Sequence, residues 1–418
     1  MRSAGRASEA WSLDGRRIAE RKLAFRQMKG GEIMPERRYD IDWLRVLVML
    51  AVFFFHSALF FRDAPWPWIL YNAERSPVAL AFSSWLDMWF MPLFFLLSGV
   101  GSWYSLRSRS NGQYLLERVK RLLVPLYTVG LFVINPPAYY FDSFSNSGYR
   151  GTFWEILPRY FSEWPVDPIP VVPFPGHLWF LQFLFMFSLW SLLLPRNPRS
   201  ERGLHLIDTL AGWCHRRGGI FLFLIPVILV RISLRSLGFS GGYTAADFFE
   251  FLVFFVIGYI LAADTRFTES IKKHGWICLI LGLVSFVGFF SFFVVELGYW
   301  GGKPFSLIFV LFQIVYGIGR WSWIVFFLSL GAKYLNVNNK VLAYSNEAVL
   351  PFYIFHQTII LCVGWFVIPW EVGVLPKFLI ISVSSFVLIL GLYEGLVRHF
   401  NIVRFLFGMR PKKRRIQT

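Results

Sequence analysis

Cysteine is rare in this sequence of 418 residues: Cys214, Cys278 and Cys362 are widely separated and form no Cys-x-x-Cys pattern. The spacing predicts neither a disulfide framework nor a zinc site, and we expect no metal in the protein. Any thiol chemistry must therefore be supplied by a bound co-substrate.

Charged residues are also scarce, at 16% of the chain, whereas 56% of the residues are hydrophobic and 20% aromatic. The apolar residues are gathered in long blocks, which is typical of membrane proteins. A helix needs roughly 20 apolar residues to cross a hydrocarbon core of about 30 Å. The sequence predicts an all-α, polytopic membrane protein with about ten transmembrane helices, at 43–61, 79–104, 122–141, 177–194, 220–237, 248–263, 276–295, 306–332, 349–369 and 378–397.

The net charge of +17 is distributed unevenly between the two sides that these spans define. The segments between spans lie alternately on the two sides of the membrane. The side that holds the N-terminal arm and the tail from Arg398 has 32 of the 42 Lys and Arg residues, whereas the loops on the opposite side have six. The positive-inside rule therefore places both termini in the cytoplasm. We expect a bacterial inner-membrane protein in contact with lipids and no nucleic-acid partner, because the basic run at 410–415 suits a topology anchor on anionic lipid.

The chain is interpreted as three parts: a basic cytoplasmic arm at 1–37, a membrane domain at 38–397 and a basic tail at 398–418. Residues 1–33 lack the apolar core of a signal peptide, so the first span is expected to serve as the insertion signal. The stretch before Met34 is similar to a translated ribosome-binding sequence. The arm is therefore either upstream of a natural start at Met34 or a disordered basic segment.

Ionisable residues inside predicted spans are costly to bury and point to function. Arg45 and His56 are eleven residues apart, which places them on the same face of the first helix, about 16 Å apart along its axis. Asp42 falls on nearly the same face. The alternative is that Arg45 snorkels to the interface and His56 is a hydrogen-bonded packing residue.

Other polar residues are expected at depths in the membrane similar to those of Arg45 and His56. Arg118 and Arg121 lie at the inner end of the third span, three residues apart, and can grip phosphate oxygens together. Arg320 of the eighth span is expected at a similar depth. Asp87 lies roughly level with His56, where a carboxylate can orient an imidazole.

Two further groups complete the set of buried polar residues. Arg231, Arg235 and Glu250 are predicted to form a buried ion pair between the fifth and sixth spans. His356, in the ninth span, is an independent candidate for function, and a structural role for it fits the sequence equally well.

The order of motifs along residues 38 to 397 resembles the acyltransferase 3 family of membrane acyltransferases. The matching features are Tyr39-Asp-Ile-Asp-Trp-Leu-Arg45 with His56 at the family's spacing, Met91-Pro-Leu-Phe-Phe-Leu-Leu-Ser98-Gly99, Arg118-x-x-Arg121 ahead of Pro125, His177-Leu-Trp-Phe-Leu181, and Ser345 to Tyr353-Ile-Phe-His356. The stretch Asn135-Pro-Pro-Ala-Tyr139 is also similar to the branch that modifies periplasmic glucans, including by succinyl transfer.

The resemblance implies a membrane O-acyltransferase that moves an acetyl or succinyl group from cytoplasmic acyl-CoA, its co-substrate, to a hydroxyl of an extracytoplasmic glycan. Together with the depths given above, this leads to a hypothesis for the roles: general base and orienter for His56 and Asp87, donor binding for Arg45, Arg118, Arg121 and Arg320, and substrate binding for His177, Trp179 and His356. The alternative is a transporter or flippase of a glycan or lipid-linked substrate, in which buried charges form a pathway. The sequence shows no inverted repeat of the kind that many transporters carry.

Overall fold

The computed structural model describes residues 37–63, 68–162, 176–194, 201–237, 244–294 and 303–412. All regular secondary structure within these ranges is helical. The helical body is one compact unit that begins at Asp40. The predicted all-α class is therefore confirmed for the described part of the chain, while residues 1–36 of the predicted arm and 413–418 of the predicted tail lie outside it.

The helices follow the predicted spans closely and add short helices between them. In chain order they are α1 (Tyr39–Ala58), α2 (Pro77–Ser108), α3 (Asn111–Asn146), α4 (Phe153–Ser162), α5 (Gly176–Trp190), α6 (Glu201–His215), α7 (Gly219–Ser236), α8 (Ala245–Leu261), α9 (Thr265–Val294), α10 (Leu307–Tyr334), α11 (Lys340–Val367), α12 (Val374–Val397) and α13 (Asn401–Leu406).

Eight helices in the described ranges are long and apolar enough to cross a membrane, namely α1, α2, α3, α7, α9, α10, α11 and α12. The other two predicted spans, 177–194 and 248–263, correspond to shorter helices: the α-helical part of α5 has 12 residues and α8 has 17. Each packs into the bundle along one face, where Phe187 of α5 and Phe255 of α8 are fully buried. The protein is a multi-pass membrane protein, and the cytoplasmic side of its termini stays a prediction.

Helices α2 and α8 pack with their backbones in close contact. A Cβ added to Gly99 of α2 would collide with the carbonyl of Phe255, and one added to Gly258 of α8 would collide with the carbonyl of Leu96. Small residues allow such approach between membrane helices, where dispersion contacts rather than water exclusion drive association. This contact fixes α2 against α8 in the centre of the bundle.

Helix α3 changes its helical form where it meets Pro125. It begins as an α-helix over Asn111–Arg118 and continues as π-helical segments over Val119–Leu123 and Leu126–Ile134. Proline has no N–H and its ring clashes with the preceding turn, so the wider π register accommodates it. Residues 111–121 thus continue into the third span as one helix, and the distortion lies directly after Arg118.

Candidate functional site

The imidazole of His56 is held by the backbone of its own helix. Its Nδ1 lies 2.8 Å from the carbonyl oxygen of Val52, one turn earlier in α1. A carbonyl oxygen can only accept a hydrogen bond, so Nδ1 carries the hydrogen and Nε2 presents a lone pair. The ring is only partly buried. His56 therefore offers an accessible basic nitrogen whose orientation is set without a carboxylate.

Three imidazoles from three helices form a cluster around this ring. The ring centroid of His356 in α11 lies 4.8 Å from that of His56 and 5.1 Å from that of His177, at the start of α5. His356 is completely buried and His177 is 6% exposed. The structure thus brings together three histidines that the sequence places far apart.

Hydrogen bonds to carbonyl groups fix the other two rings as well. His177 donates from Nε2 to the carbonyl of Ile354 at 3.1 Å, and His356 donates from Nδ1 to the carbonyl of Tyr353 at 2.5 Å. The Tyr353 hydroxyl in turn donates to the carbonyl of His177. Nε2 of His356 has no hydrogen-bond partner among the described residues. A buried acceptor without a donor is costly, so this nitrogen is suited to a hydroxyl supplied from outside.

Trp179, predicted to bind substrate, packs into the aromatic core beside this cluster. Its ring lies against Phe251 of α8 at 5.5 Å, nearly parallel to it, and also contacts Phe95 and Phe183. These contacts account for its burial. Its role in substrate binding stays a prediction.

A second cluster, of arginines, lies where α1, α2 and α3 meet. Arg45 donates to the carbonyl of Leu97 at 3.1 Å and pairs with Asp42 at 3.1 Å. Gly101 makes room for it, because an added Cβ would lie 2.8 Å from Nη2 of Arg45. The predicted stripe of Asp42 and Arg45 on α1 is therefore joined to the backbone of α2.

Arg118 and Arg121 complete the arginine cluster. Arg118 donates to the hydroxyl of Ser102 at 3.2 Å and lies over the ring of Tyr114. Arg121 is exposed and lies close enough to Arg118 and Arg45 for electrostatic interaction. Within the described part of the chain no hydrogen bond or ion pair reaches Arg121. Three guanidinium groups thus converge, one of them with its donors available for an anion.

The segment after α12 reaches the same cluster. Arg410 pairs with Glu117 at 2.6 Å, and Glu117 also pairs with Arg109 at 2.5 Å. Gly408 has a φ of 69° and lies against the carbonyl of Arg121, where a side chain would collide. The basic sequence of the tail predicts only an anchor on lipid and does not indicate that Arg410 is a neighbour of the arginine cluster.

The predicted ion pair between the fifth and sixth spans is confirmed. Arg231 pairs with Glu250 at 2.8 Å, and Arg235 pairs with Asp247 at 2.5 Å and with Glu250 at 3.4 Å. Arg320 joins the same network through a 3.0 Å contact with Glu250. Glu250 is fully buried and needs these cations to offset its lost hydration.

Arg320 and Asp87 are therefore joined to each other rather than to the residues with which they were expected. The hydroxyl of Tyr316 donates to Oδ2 of Asp87 at 3.2 Å and accepts from Nη2 of Arg320 at 3.2 Å. The hydrogen bond that orients His56 is the one that its Nδ1 donates to the carbonyl of Val52. The roles of Asp87 as orienter and of Arg320 as donor ligand stay predictions, and their geometry favours a structural one.

Two residues outside the predicted set lie near His56. The ring of Trp68 lies 5.8 Å from the imidazole, and Arg62 interacts with it electrostatically. Both belong to the connection after α1, which the sequence interpretation treated as an external loop. The signal that was overlooked is an arginine only six residues beyond the candidate base.

An imidazole in a multi-pass helical bundle and a convergent arginine cluster are the parts that a membrane-embedded group-transfer enzyme needs. The family model of acyltransferase 3, described as an acyltransferase domain, matches residues 38–394, and the chain belongs to this family. It is therefore a membrane acyltransferase, as the motifs predicted.

Similar proteins include two named glucans biosynthesis protein C. The protein of Salmonella gallinarum is 22% identical over 402 residues, which cover 90% of this chain and 95% of the relative. The protein of Escherichia coli K12 is 21% identical over 402 residues, which cover 92% of this chain and 97% of the relative. The similarity thus extends over nearly the full length of both relatives.

Proposed function

We propose that this acyltransferase moves an acetyl or succinyl group from cytoplasmic acyl-CoA to a hydroxyl of an extracytoplasmic glycan. The observation that carries the proposal is the geometry of His56, whose Nε2 is left basic by the bond from Nδ1 to Val52. The same helix presents Arg45 about 16 Å away along its axis. One helix thus carries both a phosphate-binding group and a general base.

The donor binds through its phosphates. Arg45, Arg118 and Arg121 hold the nucleotide phosphates of acyl-CoA, because guanidinium groups make forked, charge-assisted hydrogen bonds to phosphate oxygens. The absence of a described ion-pair partner for Arg121 supports this assignment. The pantetheine arm then carries the thioester from this cluster towards His56.

The reaction needs one base and correct placement. Nε2 of His56 takes the proton of the acceptor hydroxyl while the hydroxyl oxygen forms a bond to the thioester carbonyl carbon. The carbon–sulfur bond then breaks, and the imidazolium returns the proton to the leaving thiolate, which gives an ester and free coenzyme A. Nε2 of His356, buried without a partner in the described chain, accepts a hydrogen bond from a second hydroxyl of the acceptor glycan and positions the acceptor.

The names of the relatives support the choice of acceptor. Both are glucans biosynthesis proteins, and both come from bacteria. A glucan is therefore the first acceptor to examine, and the bacterial inner membrane is the proposed location. The distribution of Lys and Arg supports cytoplasmic termini.

The test is acyl transfer by the purified protein in liposomes. Radiolabelled acetyl-CoA or succinyl-CoA is supplied on one side and a glucan on the other, and label is measured on the glucan after separation. Covalently bound label is expected only in the presence of the protein. Movement of unmodified substrate across the bilayer without covalent transfer would instead support a transporter.

A further inference from the structure

Arg62 is a buried cation directly beyond the end of α1. Only 8% of its surface is exposed, although it follows a transmembrane helix in a connection predicted to be external. Its guanidinium lies 5.8 Å from the ring centroid of Phe55. The burial is by protein, so Arg62 does not reach into solvent as a loop arginine ordinarily does.

No acidic side chain compensates this charge within the described residues. Arg62 has neither an ion pair nor a hydrogen bond there, and its Nε is a buried donor without an acceptor. Other buried cations in the described ranges have a charged or polar partner: Lys377 donates to Asn72 at 2.7 Å and to the carbonyl of Ile368 at 2.8 Å, and Arg231 pairs with Glu250 at 2.8 Å. A buried guanidinium without an anion is strongly unfavourable, so Arg62 calls for an anion from beyond the described residues.

Arg62 lies near His56, the base of the proposed reaction. Phe55 connects the two groups, since its ring contacts the His56 imidazole at 5.1 Å and the Arg62 guanidinium at 5.8 Å. Arg62 and His56 also interact electrostatically. An anion bound by Arg62 therefore lies beside the base that the proposed function requires.

We propose that Arg62 forms an anion subsite that binds an acidic group of the reacting substrates. The favoured source is the distal carboxylate of a dicarboxylic acyl thioester, because its thioester carbonyl would be placed at His56 while the carboxylate pairs with Arg62. The other source of the same chemistry is an acidic substituent on the acceptor. The inference rests on the proposed function and adds to it a residue that selects the acyl group.

The experiment compares donors with and without the carboxylate. The protein in liposomes is given succinyl-CoA, butyryl-CoA or acetyl-CoA with a neutral glucan, and kcat/KM is measured for wild type and for Arg62→Gln. The wild type should prefer succinyl-CoA over butyryl-CoA, which has a methyl group in place of the carboxylate. Arg62→Gln should lose roughly 10- to 100-fold with succinyl-CoA, as expected for a charge-assisted bond, and about 2-fold or less with the neutral donors.

Two variants make the result specific. Arg75→Gln removes an exposed arginine of the same connection, which lies over the ring of Tyr71, and it should leave every donor unchanged. Arg62→Lys keeps the charge and should restore part of the succinyl preference. If Arg62→Gln does not fold, the wild type alone still tests the proposal. Equal kcat/KM for succinyl-CoA and butyryl-CoA would show that the anion bound by Arg62 is not the carboxylate of the acyl donor.

The remaining outcomes separate this inference from the proposed function. A loss confined to acidic acceptors, with any donor, supports the subsite and assigns its anion to the acceptor. Equal losses with all donors and acceptors, or no loss at all, would overturn the subsite while leaving acyl transfer intact. Absence of transfer by the wild type with every donor would remove the proposed function itself.

Discussion

The imidazole of His356 lies 4.8 Å from that of His56, and its Nε2 is buried without a partner among the described residues. If this nitrogen positions the acceptor through a second hydroxyl, His356→Ala should lower kcat roughly 100-fold or more and leave acyl-CoA binding unchanged. Steady-state transfer and equilibrium binding of coenzyme A would be measured side by side. His399→Ala, which removes an exposed histidine, should behave as wild type.

A structural role for His356 predicts another result. The folded fraction and the affinity for coenzyme A would then fall together, and transfer per folded molecule would stay close to that of the wild type. That pattern would remove His356 from the site.

His56→Ala should remove most of the turnover, because it removes the base that takes the proton from the hydroxyl as the new bond forms. We expect a loss of at least about 100-fold in kcat, within the range for general-base catalysis, while acyl-CoA binding persists. Single-turnover transfer with excess protein measures this step. Weakened binding with normal turnover would reverse the assigned roles of His56 and the arginine cluster.

Arg121→Ala should affect donor binding rather than chemistry. The KM for acyl-CoA is expected to rise roughly 10- to 100-fold with kcat nearly unchanged, because a phosphate loses a charge-assisted bond that it makes in both ground and transition states. Lys120→Ala is the matched control, since Lys120 is the exposed neighbour with the same charge. Equal effects of the two variants would indicate general attraction of anions rather than a phosphate site.

Hydrophobic blocks and charge bias were sufficient to predict the helices and the meeting of Arg45 with Arg118 and Arg121. Both depend on local pattern: apolar length defines a span, and helical spacing together with the inner boundary defines depth. The confirmed pairing of Arg231 with Glu250 has the same basis, because a buried carboxylate requires a nearby cation.

Depth alone could not predict which side of a helix faces which neighbour. Asp87 and Arg320 were matched by depth to His56 and Arg45, yet packing joins them through the hydroxyl of Tyr316. The burial of Arg62 is another consequence of packing. From the sequence alone, Arg62 is predicted to be an arginine in an external loop. The cluster of three histidines arises from contacts between helices that are distant in the chain, which periodicity does not encode.

Gly101→Val should displace Arg45 without disrupting the fold. The added side chain begins 2.8 Å from Nη2 of Arg45, and that group is the flexible end of a long side chain that can move away. We expect the KM for acyl-CoA to rise roughly 10-fold, with little change in thermal stability. Gly112→Ala, where nothing lies within 4 Å, serves as control. A normal KM in Gly101→Val would show that this position of Arg45 is not needed for donor binding.

Glu250→Gln should destabilise the bundle, because Arg231, Arg235 and Arg320 would share a buried site without their central carboxylate. Breaking a buried ion pair by removing one partner typically costs about 3–5 kcal/mol, whereas an exposed pair contributes about 0–1 kcal/mol. Glu269→Gln, which removes the exposed partner of Lys272, is therefore the control and should be nearly neutral. The thermal midpoint of the protein in detergent measures both variants. Equal midpoints for the two would mean that the network contributes no more than a surface pair.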